Sequence, residues 1–322
     1  MRPTIVQATA GSGKTGYLAR VATELVSQGI FPIACTYLNS MRDQLADRVP
    51  AFVRVSTLHS LAGHVVNAYG HEFTEPKKDE PWSEPYRRVL VTAAKLVTAN
   101  PDEIEPLVQQ HEWLLLDEAQ DMTLELFQFT KALGLAGMQL VVVGDEDQSI
   151  FEFSGGSPRY MGMLRDEFSL HDEVLDRNYR CEQAVVDLAN MYTGKAAVSA
   201  KDGTAEVRVI GPVNKWDAYR GTLNLPEDCV VLSFWRYCFP STGMWNADVH
   251  NTVHSYKGSE AANVHLIWDP DAIRRLCQGN IGLARRLINV AITRTRGNLT
   301  IVCLKGSTAL EGPLQRYRVY EG

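Results

Sequence analysis

Long apolar runs are missing. No stretch of the 322 residues approaches 18 consecutive apolar positions, so no segment is expected to cross a membrane as a helix. Cysteine is sparse. The six cysteines, at 35, 181, 229, 238, 277 and 303, form no CxxC pair and share no zinc-ligand spacing with histidine. That excludes a disulfide scaffold and a zinc module, and it points to reduced, mostly buried thiols in a cytoplasmic protein. Positive charge is not in excess either: 32 Lys and Arg stand against 38 Asp and Glu, a net charge of −6. Binding to nucleic acid by bulk charge is thereby excluded, and any such binding has to come from a local groove. Met1 to Val6 has no signal-peptide core. Internal repeats and low-complexity tracts are absent as well.

What is present is an ordinary globular composition, 45% hydrophobic and 22% charged, in a chain long enough for about two domains with full cores. Thr4 to Ala8 reads as a buried strand, followed by a helix with Leu18, Val21 and Leu25 on one face. Phe31 to Tyr37 is a second strand, and Met41, Leu45 and Val49 mark the next helix. Trp113 to Leu116 and Leu140 to Val143 are strands that end in acidic residues. In the second half, strands are expected at Glu206 to Ile210, Cys229 to Phe234, Val264 to Trp268 and Leu299 to Leu304. One long helix is expected from about Asp271 to Ile292. Near-continuous apolar strands alternating with helices predict an α/β fold with parallel sheets covered on both faces. Loops are expected at 74–87, 154–162 and 238–246. The expected division is 1–160, with a small insertion at about 70–111, and 161–322.

Ala8-Thr9-Ala10-Gly11-Ser12-Gly13-Lys14-Thr15 fits the P-loop pattern, with Ala at the usual first Gly, between a strand and a helix. Gly11 and Gly13 let the backbone approach phosphate, and the helix N-terminus favours negative charge. Ala10 to Thr15 are therefore candidate ATP ligands, with Lys14 on the β and γ phosphates and Thr15 on Mg²⁺. Asp117, at the end of Trp113 to Leu116, is the second candidate Mg²⁺ contact. Glu118 beside it is placed to orient or deprotonate an attacking water.

Further segments follow in a recognisable order: Thr36-Tyr37-Leu38-Asn39-Ser40-Met41, Ser56-Thr57-Leu58-His59-Ser60-Leu61, Asp117-Glu118-Ala119-Gln120-Asp121, Val143 to Phe151, Leu175 to Arg180, Thr252 to Glu260, and Val290 to Arg296. In this order they resemble motifs Ia, Ib, II, III, IV, V and VI of the UvrD/Rep-like branch of superfamily 1 DNA helicases. The resemblance runs over nearly the whole chain. It implies two RecA-like P-loop NTPase domains with an ATP cleft between them, and single-stranded DNA or a tailed duplex as the track. Gln120 and Gln148 would sense the γ-phosphate. Arg180 and Arg294 would be arginine fingers, whose rigid fork suits a developing phosphoryl charge. Tyr179 would stack on the base, and Gly258 and Glu260 would belong to the nucleotide site, Glu260 at the ribose. Tyr37, Thr57, His59, Phe151, Phe153, Thr252 and His254 would line the DNA groove. Phe151 and Phe153 also fit core positions at strand spacing, and His59 and His254 also fit structural histidines. Trp235 with Arg236 is a further groove candidate.

The sequence departs from that family in four ways. The chain starts only a few residues before the P-loop, without the upstream Gln that reads adenine. Gly16 stands where many relatives carry an Arg that packs on the base. Both departures predict relaxed preference for ATP over other nucleoside triphosphates. Third, only about 50 residues separate motif Ib from Asp117 and about 70 separate Arg180 from Thr252. That leaves little of the 1B subdomain and essentially no 2B, so a loading or accessory protein is an expected partner. Fourth, Tyr256 and Ser259 replace small and apolar residues in motif V. The expected activity is an ATP-dependent helicase or translocase, 3′ to 5′ by resemblance. A DNA-stimulated ATPase that does not unwind, and a nucleotide-dependent switch that recruits a partner, are the alternatives. An RNA track remains open, since phosphate and stacking contacts do not distinguish the sugars.

Overall fold

The computed structural model describes residues 1–37, 39–71, 81, 83–222, 225, 228–236, 249–305, 312–316 and 319–320. They form two units, one of Met1–Ala8 with Gly13–Leu175, the other of Thr9–Ser12 with Asp176–Gly322.

The first unit carries β1 (Thr4–Ala8), α1 (Lys14–Ser27), β2 (Ile33–Thr36), α2 (Asn39–Ala46), β3 (Arg54–Thr57), α3 (Leu58–Ala68), α4 (Glu84–Ala99), α5 (Glu105–Gln110), β4 (Trp113–Leu116), α6 (Leu124–Leu135), β5 (Gln139–Gly144), α7 (Arg159–Phe168) and β6 (His171–Leu175). All its strand pairs are parallel, in the order β3-β2-β4-β5-β1-β6. Period-2 alternation splits the central strands between two cores. Ile5, Leu114, Leu116 and Val142 pack with Leu61, Val65, Leu90, Phe129 and Leu164. Val6, Leu115, Val141 and Val143 pack with Leu18, Val21, Leu25 and Leu45 on the other face.

The second unit carries β7 (Arg177–Asn178), α8 (Gln183–Thr193), β8 (Val198–Ser199), β9 (Val207–Val213), α9 (Lys215–Arg220), β10 (Cys229–Ser233), β11 (His250–Thr252), β12 (Asn263–Trp268), α10 (Pro270–Cys277), α11 (Ile281–Ile292), β13 (Leu299–Leu304) and β14 (Val319–Tyr320). Its main sheet is also wholly parallel, in the order β11-β10-β12-β13-β9-β14, and β7 pairs with β8 separately.

The α/β class with parallel sheets is as expected, and β1, β4 and β13 have the expected bounds. Several details differ. Residues 161–175, expected in the second domain, stay with the first, because β6 returns beside β1 with Thr4 opposite His171 and Ala8 opposite Leu175. The expected insertion near 70–111 supplies core instead: Val89, Leu90, Ala93 and Val97 of α4 are buried against α3 and α6. Residues 84–87 begin that helix and 159–162 begin α7, where loops were expected; 74–80, 82 and 238–246 lie outside the described residues. The single helix expected at 271–292 is two. Gln278 and Gly279 take left-handed backbone, φ 48° and 81°, and the Asn280 side chain then caps α11 by accepting from Leu283 N at 3.0 Å. Cys35, Cys181, Cys229, Cys277 and Cys303 are buried, and Cys238 lies outside the described residues. Among the described residues no helix is long and apolar enough to cross a membrane.

Candidate nucleotide site and aromatic row

The loop after β1 turns through two left-handed glycines, Gly11 at φ 69° and Gly13 at φ 82°, and Gly13 caps α1. A side chain at Gly13 would strain that turn, so the glycine there follows from the geometry. Lys14 opens the helix with its side chain 9% exposed, and its Nζ lies 3.5 Å from Glu118 Oε1. Thr15 donates its hydroxyl to Asp117 Oδ2 at 2.9 Å.

Asp117 continues β4 by donating its N–H to Cys35 O, and its Oδ1 accepts the N–H of Glu118 at 2.9 Å. Burial, and then the neighbouring Glu118 charge, push the Asp117 carboxyl up to about 6, against the opposing pull of Lys14 and Thr15. Glu118 has left-handed backbone at φ 54°. A non-glycine residue in that region costs on the order of 1 kcal/mol, a strain that clusters at functional sites.

A chain of contacts runs on from Glu118. Gln120, fully buried, donates Nε2 to Glu118 Oε2 and accepts the N–H of Asp145 on Oε1 at 3.0 Å. Asp145 Oδ2 accepts Gln148 Nε2 at 2.6 Å, and Ser149 donates its hydroxyl to Gln120 O at 3.0 Å. Gly144 makes room for this chain, since a Cβ there would sit 2.5 Å from Met161 Sδ and 2.8 Å from Gln120 Oε1.

The polypeptide then reaches the aromatics. Phe151 and Phe153 form an edge-to-face pair at 5.9 Å, with Phe153 77% exposed. On the same unit Tyr37, His59 and Tyr86 form a row with centroid spacings of 6.3 and 5.9 Å. Burial lowers the His59 pKa, and burial followed by the Asp121 charge raises that of Tyr37. Thr57 has a structural duty, capping α3 by accepting Ser60 N at 3.1 Å.

In the second unit, Tyr179 is 59% exposed, with Arg177 over its ring at 5.9 Å. Asn178 donates Nδ2 to Ala10 O at 2.7 Å and accepts the N–H groups of Arg180 and Cys181, while Tyr179 N donates to Gly11 O. Arg180 donates Nε to Glu260 Oε2 at 2.6 Å and Nη1 to Thr293 O at 3.2 Å. Burial pushes the Glu260 carboxyl upward, but Arg180, with Arg296 and Arg294, outweighs it and holds the pKa below its ordinary value. Arg294 is 1% exposed and donates Nε to Val290 O at 3.0 Å and Nη1 to Ser259 O at 3.4 Å. Gly258 is left-handed at φ 90°. Thr252 and Ser255 exchange bonds that close the turn containing His254. Trp235 is 38% exposed at the end of β10.

The structure thus gathers Lys14, Thr15, Asp117, Glu118, Gln120 and Gln148, and it gathers Arg180 with Glu260. Tyr86, Asp145 and Asn178 take part in these networks without having been singled out in the sequence. The signals are thin: an Asp one residue past an apolar strand, an Asn just before the assigned Tyr179, and a Tyr in the first turn of a helix at a place where a loop is expected.

An AAA domain family model matches residues 1–154. The ATP-dependent DNA helicase PcrA of Leuconostoc citreum is 28% identical over 153 residues, 47% of this chain and 20% of the relative. The ATP-dependent DNA helicase Rep of Salmonella typhimurium is 31% identical over 104 residues, 32% of this chain and 15% of the relative. In sequence the chain is thus similar to PcrA- and Rep-type DNA helicases over less than half of its length, and it aligns with a fifth or less of the length of these curated relatives. Among solved structures, the arterivirus nonstructural protein 10 helicase in complex with DNA superposes with a TM-score of 0.51 at 15% identity, covering 93% of this chain and 60% of that one. The PRRSV helicase gives 0.50 at 15% identity, covering 93% and 52%. At this identity the likeness concerns the fold alone, an α/β architecture with parallel sheets.

Proposed function

We propose that the chain is an ATP-dependent motor that couples ATP hydrolysis to movement on single-stranded DNA, 3′ to 5′ as its resemblance implies. The observation that carries this reading is the unbroken path Lys14–Glu118–Gln120–Asp145–Gln148, which leads from the P-loop to the segment bearing Phe151 and Phe153. The phosphate site fits a triphosphate: Ser12 Oγ is buried without a hydrogen-bond partner among the described residues, inside a turn of left-handed glycines. Thr15 and Asp117, already in contact, would hold Mg²⁺, which when bound would neutralise phosphate charge.

Within this reading Lys14 binds phosphate oxygens, and Glu118 orients a water and accepts its proton on the carboxylate. Gln120 relays the position of Glu118 to Asp145. Arg180 and Arg294 are assigned to the transferring phosphoryl charge, Tyr179 to the base, and Gly258 and Glu260 to the nucleotide. Phe151, Phe153, Tyr37, Thr57, His59, Thr252 and His254 are assigned to DNA, where aromatic faces take bases without regard to sequence.

A second reading, translocation without strand separation, is favoured by one observation. The described residues between 83 and 112 pack into the first core and do not form a separate body. Steady-state ATP hydrolysis with and without single-stranded DNA, using Lys14→Ala and Glu118→Gln as blanks, tests the main proposal. Strong stimulation that is lost in both variants supports a motor, and a tailed-duplex assay then separates the two readings. Hydrolysis indifferent to DNA overturns both and favours a nucleotide-dependent switch.

A further inference from the structure

The second unit holds a cavity of about 370 Å³ in the corner formed by α8, α10 and α11, lined in part by Met191, Trp268, Ile273, Ile281 and Ile288. None of these residues belongs to the nucleotide site or the aromatic row. The volume is within the range of ordinary ligand pockets. Three features show that its lining is not simply leftover core.

The first is an orphaned donor. Trp268 is 4% exposed, and its indole N–H is buried with no hydrogen-bond partner among the described residues. A buried donor left unpaired costs free energy, and an acceptor that moved aside the atoms covering it would recover that cost. The second is an apolar stripe that runs out to solvent. Ile281, Ala284 and Ile288 stand at i, i+3 and i+7 of α11, from 7% exposed at Ile288 to 70% at Ile281, with Met191 40% exposed beside them. The left-handed turn at Gln278 and Gly279 starts α11 at this place and leaves its first turn uncovered.

The third feature is charge. Residues 269–286 contain Arg274, Arg275, Arg285 and Arg286 against only Asp269 and Asp271, in a chain whose net charge is −6. Arg274 and Arg285 line the cavity itself. Asp271 already engages Arg274 at 3.0 Å, but that guanidinium is 60% exposed and has further donors to offer.

We propose that this corner is a docking site for an acidic peptide segment of a partner protein, one that carries a bulky apolar side chain between carboxylates. The apolar side chain covers Ile281 and Met191, a backbone carbonyl reaches Trp268 Nε1 as the atoms covering it move aside, and the flanking carboxylates meet Arg274 and Arg285. A phosphodiester strand would use the arginines alone and leave the apolar floor uncovered. The peptide satisfies all three features together. The site is independent of the ATP reading, and its test does not use hydrolysis.

The probe is a fluorescein-labelled dodecapeptide of Asp and Glu with a central Leu-Phe pair, titrated with the full chain and followed by anisotropy. The expected result is saturable binding. It weakens at least tenfold in Ile281→Asp and in Arg285→Glu, and several-fold in Trp268→Phe, which keeps an aromatic ring at the site and removes the donor. It is lost when Leu-Phe becomes Ser-Ser. Ile281 and Arg285 are exposed, so their variants are expected to keep the parent melting temperature, which separates lost binding from lost folding. Absence of saturable binding, or equal binding by the variants, overturns the proposal. So does an oligo-dT probe that loses affinity in the same two variants, which would make the patch part of a nucleic-acid track. A concentration-dependent mass that falls in Ile281→Asp would make it a contact between copies and would likewise overturn it.

Discussion

Gln120 accepts the backbone N–H of Asp145 at 3.0 Å with one end of a side chain whose other end is held by Glu118. No solvent reaches this amide, so both of its ends depend on these partners. Gln120→Ala leaves a buried N–H and a carboxylate oxygen without it, a loss of about 1–3 kcal/mol. For a unit of this size that corresponds to roughly 2–4 °C of melting temperature per kcal/mol. The expected kinetic signature is a larger loss of DNA-stimulated than of DNA-free ATP hydrolysis. Gly144→Ala is expected to act similarly from outside the chain of contacts, because its methyl would fall 2.8 Å from Gln120 Oε1. Equal loss with and without DNA in both variants would refute the coupling role.

What was legible in the sequence follows a physical rule. β4 and β13 read directly because every residue in them is buried, which gives a near-continuous apolar run broken only by Thr300. β6, His-Asp-Glu-Val-Leu, is an edge strand held by its backbone to β1, so its side chains carry little apolar signal. An expected boundary at 160 therefore falls short of the one observed at Leu175. Lys14 and Thr15 stand at fixed positions of the P-loop pattern and Asp117 at the end of an apolar strand, so pattern and position alone name them as candidates, and the structure puts Thr15 in contact with Asp117. The burial of Arg294 was not legible: its acceptors include the carbonyls of Val290 and Ser259, and backbone acceptors leave no trace in residue type. The break at Gln278–Gly279–Asn280 did carry a signal, a glycine followed by a capping residue, that the apolar periodicity on either side obscured.

Gly16 lies in the first turn of α1, and a Cβ there would meet no atom within 4 Å. Any side chain has room to extend from it. Gly16→Arg is therefore expected to fold, and to gain about 1 kcal/mol from helix propensity. In the parent, hydrolysis of GTP is expected to be comparable to that of ATP. In the variant, the KM for ATP is expected to fall relative to that for GTP as the guanidinium packs on the base. A parent strictly specific for ATP would sink this prediction.

Two histidines resist protonation in the folded chain: burial lowers the pKa of both His59 and His265. The unfolded chain takes up these protons below about pH 6.5, whereas the folded chain does so only at lower pH. Below that point the unfolded state binds more protons, so stability rises with pH and is lost as pH falls. Urea titrations between pH 7.5 and 5 are expected to show this decline. His59→Gln and His265→Gln should each flatten it, and unchanged slopes in both would assign the decline to other groups.

Tyr86 completes the row begun by Tyr37 and His59, 5.9 Å from the His59 ring and 52% exposed. Its place at the start of α4 is fixed by the burial of Val89, Leu90 and Ala93 on the helix face below it. An exposed ring held in this way is prepared to stack on a base at no ordering cost. Phe153 is more exposed still, and it is held through its edge contact with Phe151. Stacking is worth about 1–3 kcal/mol per base, or roughly five- to 150-fold in affinity. Tyr86→Ala and Phe153→Ala are each expected to weaken binding of a labelled oligo-dT within that range, and to do so equally for oligo-dC, since every base offers a π-face. Tyr86→Phe should retain the affinity, because the hydroxyl takes no part in stacking. Parent affinity in Tyr86→Ala would place the DNA elsewhere on the unit. A loss confined to one base would indicate edge recognition instead of stacking.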